Sequence, residues 1–181
     1  MTIMHPENNV AIFTPSEFTE LLRSIKKTIN KERLEVLLYT GCRYSEIVDI
    51  HKKQNRLVGK TIKVENTKAY KTSKYRYVQL NDPGVRAVDY YLRSKKSLPA
   101  QTTWNENLQR WCKDAGIDPT GVSSKSTRKT WESWLAVSYP HQIERIFLSQ
   151  GHNQLVALKY YLSFPFSDKN KEDMKFYVGG W

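Results

Sequence analysis

Alternation of apolar and polar residues, the pattern typical of a β-strand, is convincing in only two segments of this 181-residue chain. These segments are Val58 to Glu65 and Tyr75 to Leu80, which can pair as a hairpin around residues 66–74. The other patterned segments carry apolar residues at helical spacing. The sequence therefore predicts one α+β domain over residues 1–181, mainly α-helical, with a small antiparallel β-hairpin or sheet.

Helix start and stop signals divide the rest of the chain. Thr14, Pro15 and Glu17 form a capping box with proline at the first helical position. Gly41 suits the C-cap of a second helix that begins near Lys31. Further helices are predicted to begin at Arg43, at Asp82, at Thr103 with Glu106 as its capping partner, at Ser123 or Ser124, at His141, at Gln154, and at Asp168 as its cap. Residues 1–13 are expected to form a loose lead-in.

The chain is strongly basic. It has 29 Lys and Arg residues against 18 Asp and Glu residues, a net charge of +11. Nucleic acid is the polyanion that such a domain most often meets, and a basic protein with no such partner is the alternative. No apolar run is long enough to span a membrane and the first residues lack the apolar core of a signal peptide. We therefore expect an intracellular protein, with nucleic acid as the favoured partner.

The cysteines and histidines show no ligand or disulfide pattern. Two cysteines are too few for a disulfide framework, and the four histidines have no zinc-ligand spacing. We expect neither a structural metal nor a cofactor. The residues concerned are Cys42, Cys112, His5, His51, His141 and His152.

Side chains suited to phosphate chemistry lie within residues 123–164. They are Lys125, Arg128, His152, Tyr160 and Tyr161. In so basic a chain they can fall together by chance, but a second arginine, Arg43, lies upstream after Gly41. A guanidinium donates two hydrogen bonds to a phosphate and stays charged, so Arg43 and Arg128 are the candidates for a phosphate clamp. Glu46 either orients Arg43 or is a surface acid.

The string Thr40–Gly41–Cys42–Arg43–Tyr44–Ser45–Glu46–Ile47 resembles the first arginine box of the tyrosine recombinases, the family of integrases and chromosome-dimer resolvases. The later features keep the order of that family: a basic hairpin, an arginine box at Arg128, and a Gly-His pair. His152 follows Arg128 by 24 positions and Tyr161 follows His152 by nine, as in the family. The resemblance covers about residues 40–164.

The resemblance implies a nucleophile and a general acid. Tyr161 would attack a DNA phosphate to form a 3′-phosphotyrosine and release a 5′-hydroxyl. Tyr160, about 100° away on a helix, is the competing assignment. Lys71 would protonate the 5′-oxygen, with Lys68 and Lys74 as alternatives.

One position departs from the common pattern of the family. Lys125 stands where most members have histidine. A protonated lysine cannot accept the tyrosine proton, so we expect Lys125 to be a third phosphate cation beside Arg43 and Arg128. The base role then passes to His152, which could instead cap a helix and orient its neighbours.

The resemblance implies a site-specific recombinase that joins double-stranded DNA attachment sites as a tetramer and is a monomer or weak dimer when free. The appearance is closest to archaeal virus and plasmid integrases. Members usually carry a preceding core-binding domain, which we expect to be absent from this chain. The last helix either docks on a neighbouring protomer or packs on its own domain. Relaxation of DNA in the manner of a type IB topoisomerase and a non-catalytic DNA-binding module are the alternative functions.

Overall fold

The computed structural model of the chain describes residues 3–4, 9–50, 57–65, 75–94, 97–150 and 164–181. In this part of the chain, helices predominate over short strands, which confirms the predicted α+β class. The helices are α1 Pro15–Ser24, α2 Thr28–Thr40, α3 Tyr44–Ile50, α4 Asp82–Ser94, α5 Gln101–Asp114, α6 Ser126–Ser138, a 3₁₀ turn Pro140–Gln142, α7 Ile143–Gln150 and α8 Asp168–Val178. The strands are β1 Ile3–Met4, β2 Ala11–Ile12, β3 Leu57–Val58, β4 Thr61–Glu65 and β5 Tyr75–Gln79.

The predicted hairpin is part of a three-stranded antiparallel sheet in the order β3-β4-β5. The expected strand from Val58 to Glu65 is interrupted, because Gly59 has a positive φ of 57° and turns the chain back on itself. The β4 and β5 strands pair from Thr61 opposite Gln79 to Glu65 opposite Tyr75. The predicted hairpin tip, residues 66–74, lies outside the described residues, as does the helix predicted over 154–162.

The N-terminal segment contradicts the expectation of a loose lead-in. Strands β1 and β2 pair, and residues 10–13 are buried. The Phe13 N–H donates to Thr130 Oγ1 (3.0 Å), and Trp134 Nε1 donates to the Phe13 carbonyl (2.9 Å). The apolar run Val10–Phe13 is therefore held against α6, where burying its side chains outweighs the entropy of a free end.

Six predicted helix starts or caps are displaced. Helices α3 and α7 begin at Tyr44 and Ile143, after the predicted Arg43 and His141. Helix α2 begins at Thr28, before Lys31. Helix α5 begins at Gln101, ahead of the predicted Thr103 and Glu106. Its buried face starts with Trp104, whose backbone N–H donates to the Ala100 carbonyl (2.9 Å). The residues before α6 form a tight turn, in which the Ser126 backbone N–H donates to the Ser123 carbonyl (2.9 Å). The N-cap of α6 is therefore Lys125, and neither Ser123 nor Ser124 caps the helix. Ser167, one residue before Asp168, caps α8.

The end of α2 packs closely on α6. Gly41 caps α2 in the left-handed conformation, with φ at 56°. A Cβ on Gly41 would lie 2.5 Å from Trp131 Cε3, so only glycine allows this approach. The next residues of the chain, including Arg43, are thereby placed beside α6 and Arg128.

Helix α8 packs on its own domain, which was one of the two alternatives for the last helix. Met174 and Val178 are buried, and the Trp131 and Trp181 rings meet edge to face with centroids 5.6 Å apart. The Asn81 side-chain amide donates to the Tyr177 carbonyl (2.9 Å). The C-terminal segment therefore contributes to the core that supports α6.

Replacing Gly41 by alanine is expected to destabilise the fold by about 3 kcal/mol, since the left-handed conformation and the clash with Trp131 both add cost. Gly59→Ala is the matched control, because its φ is 57° and a Cβ there meets nothing within 4 Å. The control should lose only about 1 kcal/mol. Urea unfolding of both variants measures the difference, and equal losses would contradict the close contact with Trp131.

Candidate active site

Three of the six predicted site residues line one cavity of about 340 Å³. They are Arg43, Lys125 and Arg128. The remainder of the cavity wall is formed by Tyr44, Ser45, Gln101, Ser124 and Lys129. The other predicted residues and their alternatives lie outside the described residues: Lys68, Lys71, Lys74, His152, Tyr160 and Tyr161. The two arginines thus face the same space, although more than 80 residues separate them in the sequence.

Arg43 is held by a local motif at the start of α3. Its backbone N–H donates to Glu46 Oε2 (2.8 Å), and its side-chain Nη1 donates to Glu46 Oε1 (2.8 Å). An acid three residues into a helix commonly caps the free N–H groups of the first turn, and here it also orients the guanidinium. The Arg43 side chain remains 25% exposed, so it can still meet a ligand in the cavity.

Glu46 is buried, with a side chain that is 0% exposed, so the surface-acid interpretation is wrong. Its carboxylate also accepts from Arg76 Nη2 (2.7 Å) and lies 3.9 Å from Arg128 Nη1. Burial alone raises the pKa of Glu46. The guanidinium groups of Arg76, Arg128 and Arg43 outweigh that effect and hold the pKa of Glu46 below its ordinary value of 4.5.

Arg128 is fixed by contacts to three segments. Its Nη1 donates to the Gly41 carbonyl and its Nη2 to the Gln150 carbonyl, both at 2.8 Å. Its Nε pairs with Glu132 one turn along α6 (2.9 Å). Burial lowers the pKa of Arg128 while Glu132 opposes that shift, and the high reference value of arginine leaves the group charged.

Sequence reasoning missed Arg76 as a site residue. Its side chain is 2% exposed and donates from Nη1 to the Ser149 carbonyl (2.7 Å). The alternation in β5 carried the signal, because Arg76 is in phase with the buried Val78 and Leu80. An arginine on the inner face of a strand needs a buried acceptor, and Glu46 supplies it.

The cavity carries an excess of positive charge. Its wall includes four cations, Arg43, Lys125, Arg128 and Lys129. The carboxylates that pair with them are Glu46, which also binds Arg76, and Glu132. Lys125 is exposed on the wall, and no acidic partner contacts its ammonium group in the described part of the chain. An anion is the ligand that such a cavity favours.

The sequence matches a family of known proteins. Residues 12–164 match the phage integrase family. The chain belongs to that family. No curated protein matches it by sequence. Among solved structures, the fold is similar to that of the XerA recombinase, with 19% identity and a TM-score of 0.66 over 91% of this chain and 64% of that one.

Two further structures show the same fold. The Tn1549 transposon integrase, in complex with transposon right-end DNA, has 15% identity and a TM-score of 0.70 over 94% of this chain and 67% of that one. A lambda integrase dimer bound to a COC′ core site has 15% identity and a TM-score of 0.64 over 87% of this chain and 61% of that one. This chain thus spans about two thirds or less of the length of these three solved proteins. The predicted tyrosine recombinase fold is confirmed, whereas closeness to archaeal virus and plasmid integrases stays a prediction.

Both Cys42 and Cys112 are buried thiols without a disulfide. Among the described residues, no three His, Cys, Asp or Glu side chains group as a metal site. None of the helices described is both long and apolar enough to cross a membrane.

Glu46→Gln is expected to lower the free energy of unfolding by about 3–5 kcal/mol at neutral pH, because buried guanidinium groups lose their counter-charge. Since the folded pKa of Glu46 lies below its unfolded value, its stabilisation is present above about pH 4.5 and is lost as pH falls through the folded pKa. Urea unfolding across this range should show the stabilities of the unmodified protein and the variant converging in acid.

Glu20→Gln is the control for this experiment, since Glu20 forms an exposed pair with Arg23. The control should change stability by less than about 0.5 kcal/mol at any pH. A gap between Glu46→Gln and the unmodified protein that stays constant into acid would contradict the assignment of the charge to Glu46.

Proposed function

We propose that this chain is the catalytic domain of a site-specific DNA recombinase that cleaves and rejoins strands through a 3′-phosphotyrosine. The observation that carries the proposal is the convergence of Arg43 and Arg128 on one positively charged cavity. Membership of the phage integrase family supports the reaction class. The solved relatives include recombinases bound to DNA, which supports DNA as the partner.

In the proposed reaction, Arg43, Lys125 and Arg128 bind the non-bridging oxygens of one DNA phosphate, where negative charge gathers in the transition state. Tyr161 attacks the phosphorus, and the bond to the 5′-oxygen breaks. His152 receives the tyrosine proton and Lys71 donates one to the departing 5′-oxygen. Attack of a 5′-hydroxyl on the phosphotyrosine reverses these steps and rejoins the strand, so the number of ester bonds is conserved.

The proposed partners follow from the reaction. The substrate is a double-stranded attachment site, bound through phosphates on a basic surface. Exchange of strands between two sites requires four cleavages, so we assign a tetramer on DNA and a monomer or weak dimer in its absence. The proposed place of action is the cytoplasm of the host cell, where the DNA is accessible.

Tyr161→Phe is expected to abolish the covalent adduct with a nicked suicide substrate, because the variant lacks the attacking oxygen. The matched control is Tyr160→Phe, which should keep the adduct. Denaturing gel electrophoresis of protein with labelled DNA measures both.

An adduct that survives Tyr161→Phe would contradict the assignment of Tyr161 as the nucleophile. No adduct with the unmodified protein would favour a non-catalytic DNA-binding module. Relaxation of supercoiled DNA by a monomer would favour the topoisomerase alternative.

Lys125→Ala is expected to reduce the slope of log affinity against log salt concentration by about 1, because one phosphate contact is lost. Lys113→Ala is the matched control. Lys113 is also exposed but lies ~18 Å along α5 from Gln101, the residue of that helix that lines the cavity. Fluorescence anisotropy with a labelled duplex at several salt concentrations measures both slopes. Equal slopes for the two variants would contradict the assignment of Lys125 as a phosphate contact.

A further inference from the structure

Arg76 joins four segments around the cavity without lining it. From β5, its Nη2 donates to Glu46 Oε2 in α3 (2.7 Å) and to Cys42 Sγ after α2 (3.6 Å). Its Nη1 donates to the Ser149 carbonyl in α7 (2.7 Å). The cavity wall does not include Arg76, which instead borders a separate groove with Tyr77 and Arg145. Arg76 therefore has no path to a phosphate in the cavity except through another side chain.

Glu46 is that side chain. Its Oε2 is shared by Arg76 and the Arg43 backbone N–H, and its Oε1 holds the Arg43 guanidinium. We propose that Arg76 is a positioning residue for strand cleavage, which fixes the Glu46 carboxylate and thereby holds the Arg43 guanidinium at the DNA phosphate. This inference rests on the proposed recombinase function and extends it to a residue that does not touch DNA.

Loss of Arg76 should act through the charge of Glu46. The groups that face Glu46 are Arg43 and Cys42 from the segment between α2 and α3, Arg76 from β5, and Arg128 from α6. Without Arg76, the burial of Glu46 is opposed only by Arg43 and the more distant Arg128, so the pKa of Glu46 rises. A protonated Glu46 no longer offers Arg43 a charged acceptor, and the Arg43 guanidinium is free to leave its productive geometry.

The main test is the single-turnover rate of covalent adduct formation with a suicide substrate at saturating DNA, from about pH 5 to pH 8. Arg76→Met is expected to slow cleavage by about 10²-fold, a loss typical of a misplaced binding group. The loss should deepen towards acid pH, while the dissociation constant for DNA stays within about two-fold. Arg76→Lys should recover part of the rate and remove the acid dependence. Arg145→Met, in the same groove but without a contact to Glu46, is the matched control and should cleave normally.

A double-mutant cycle separates positioning from general support of the fold. If Arg76 acts through Glu46, Arg76→Met combined with Glu46→Gln should cleave at the rate of Glu46→Gln alone. Losses that add would overturn the proposal. A DNA affinity that falls while the cleavage rate is unchanged would also overturn it, as would an Arg76→Met variant that cleaves at the normal rate.

A second measurement does not depend on cleavage. The pH titration of the Glu46 side-chain carboxyl carbon, followed by NMR, should move to higher pH in Arg76→Met and return towards the original in Arg76→Lys. An unchanged titration in Arg76→Met would overturn the link between the two residues. If the unmodified protein forms no adduct, the proposed function fails, and this titration alone decides whether Arg76 controls Glu46.

Discussion

The arrangement of the cavity depends on one buried carboxylate that pairs with guanidinium groups from three separate segments. Burying an ion costs several kcal/mol, and burying arginines beside one another adds repulsion. Glu46 offsets both costs, because Arg43, Arg76 and Arg128 all lie within contact distance of its oxygens. Without this acid, the chain segments that carry the arginines would be driven apart. Buried electrostatic interactions therefore bring the arginines of the cavity together.

The end of α7 is held by the same arginines. A helix leaves its last carbonyl groups without partners, and positive charge is favoured there. Arg76 binds the Ser149 carbonyl and Arg128 binds the Gln150 carbonyl. These contacts satisfy the carbonyls of the last two residues of α7 that the structure describes. The two arginines therefore hold the described end of α7 beside the cavity.

Local signals predicted the elements better than their boundaries. The capping box at Thr14 and the C-cap at Gly41 form as expected, because each depends on residues within one turn. The caps of α5, α6 and α8 were displaced, since burial of residues such as Trp104 selects among several possible caps. Arg76 was missed because its partners are 30 or more residues away, and strand alternation shows burial without showing the acceptor. Arg43 and Arg128 were chosen as a clamp from the chemistry of arginine and from the position of Arg43 after Gly41, and the family resemblance supported the choice.

The cations of the cavity differ in exposure, and this difference gives them different roles. Arg128 is 7% exposed and held by backbone carbonyls, so its position is set before any ligand arrives. Arg43 is partly exposed, and Lys125 is exposed on the wall. The excess of positive charge leaves repulsion among them that Glu46 and Glu132 do not cancel. In the proposed reaction, the DNA phosphate would reduce that repulsion and draw the accessible cations towards the arginine that is already fixed.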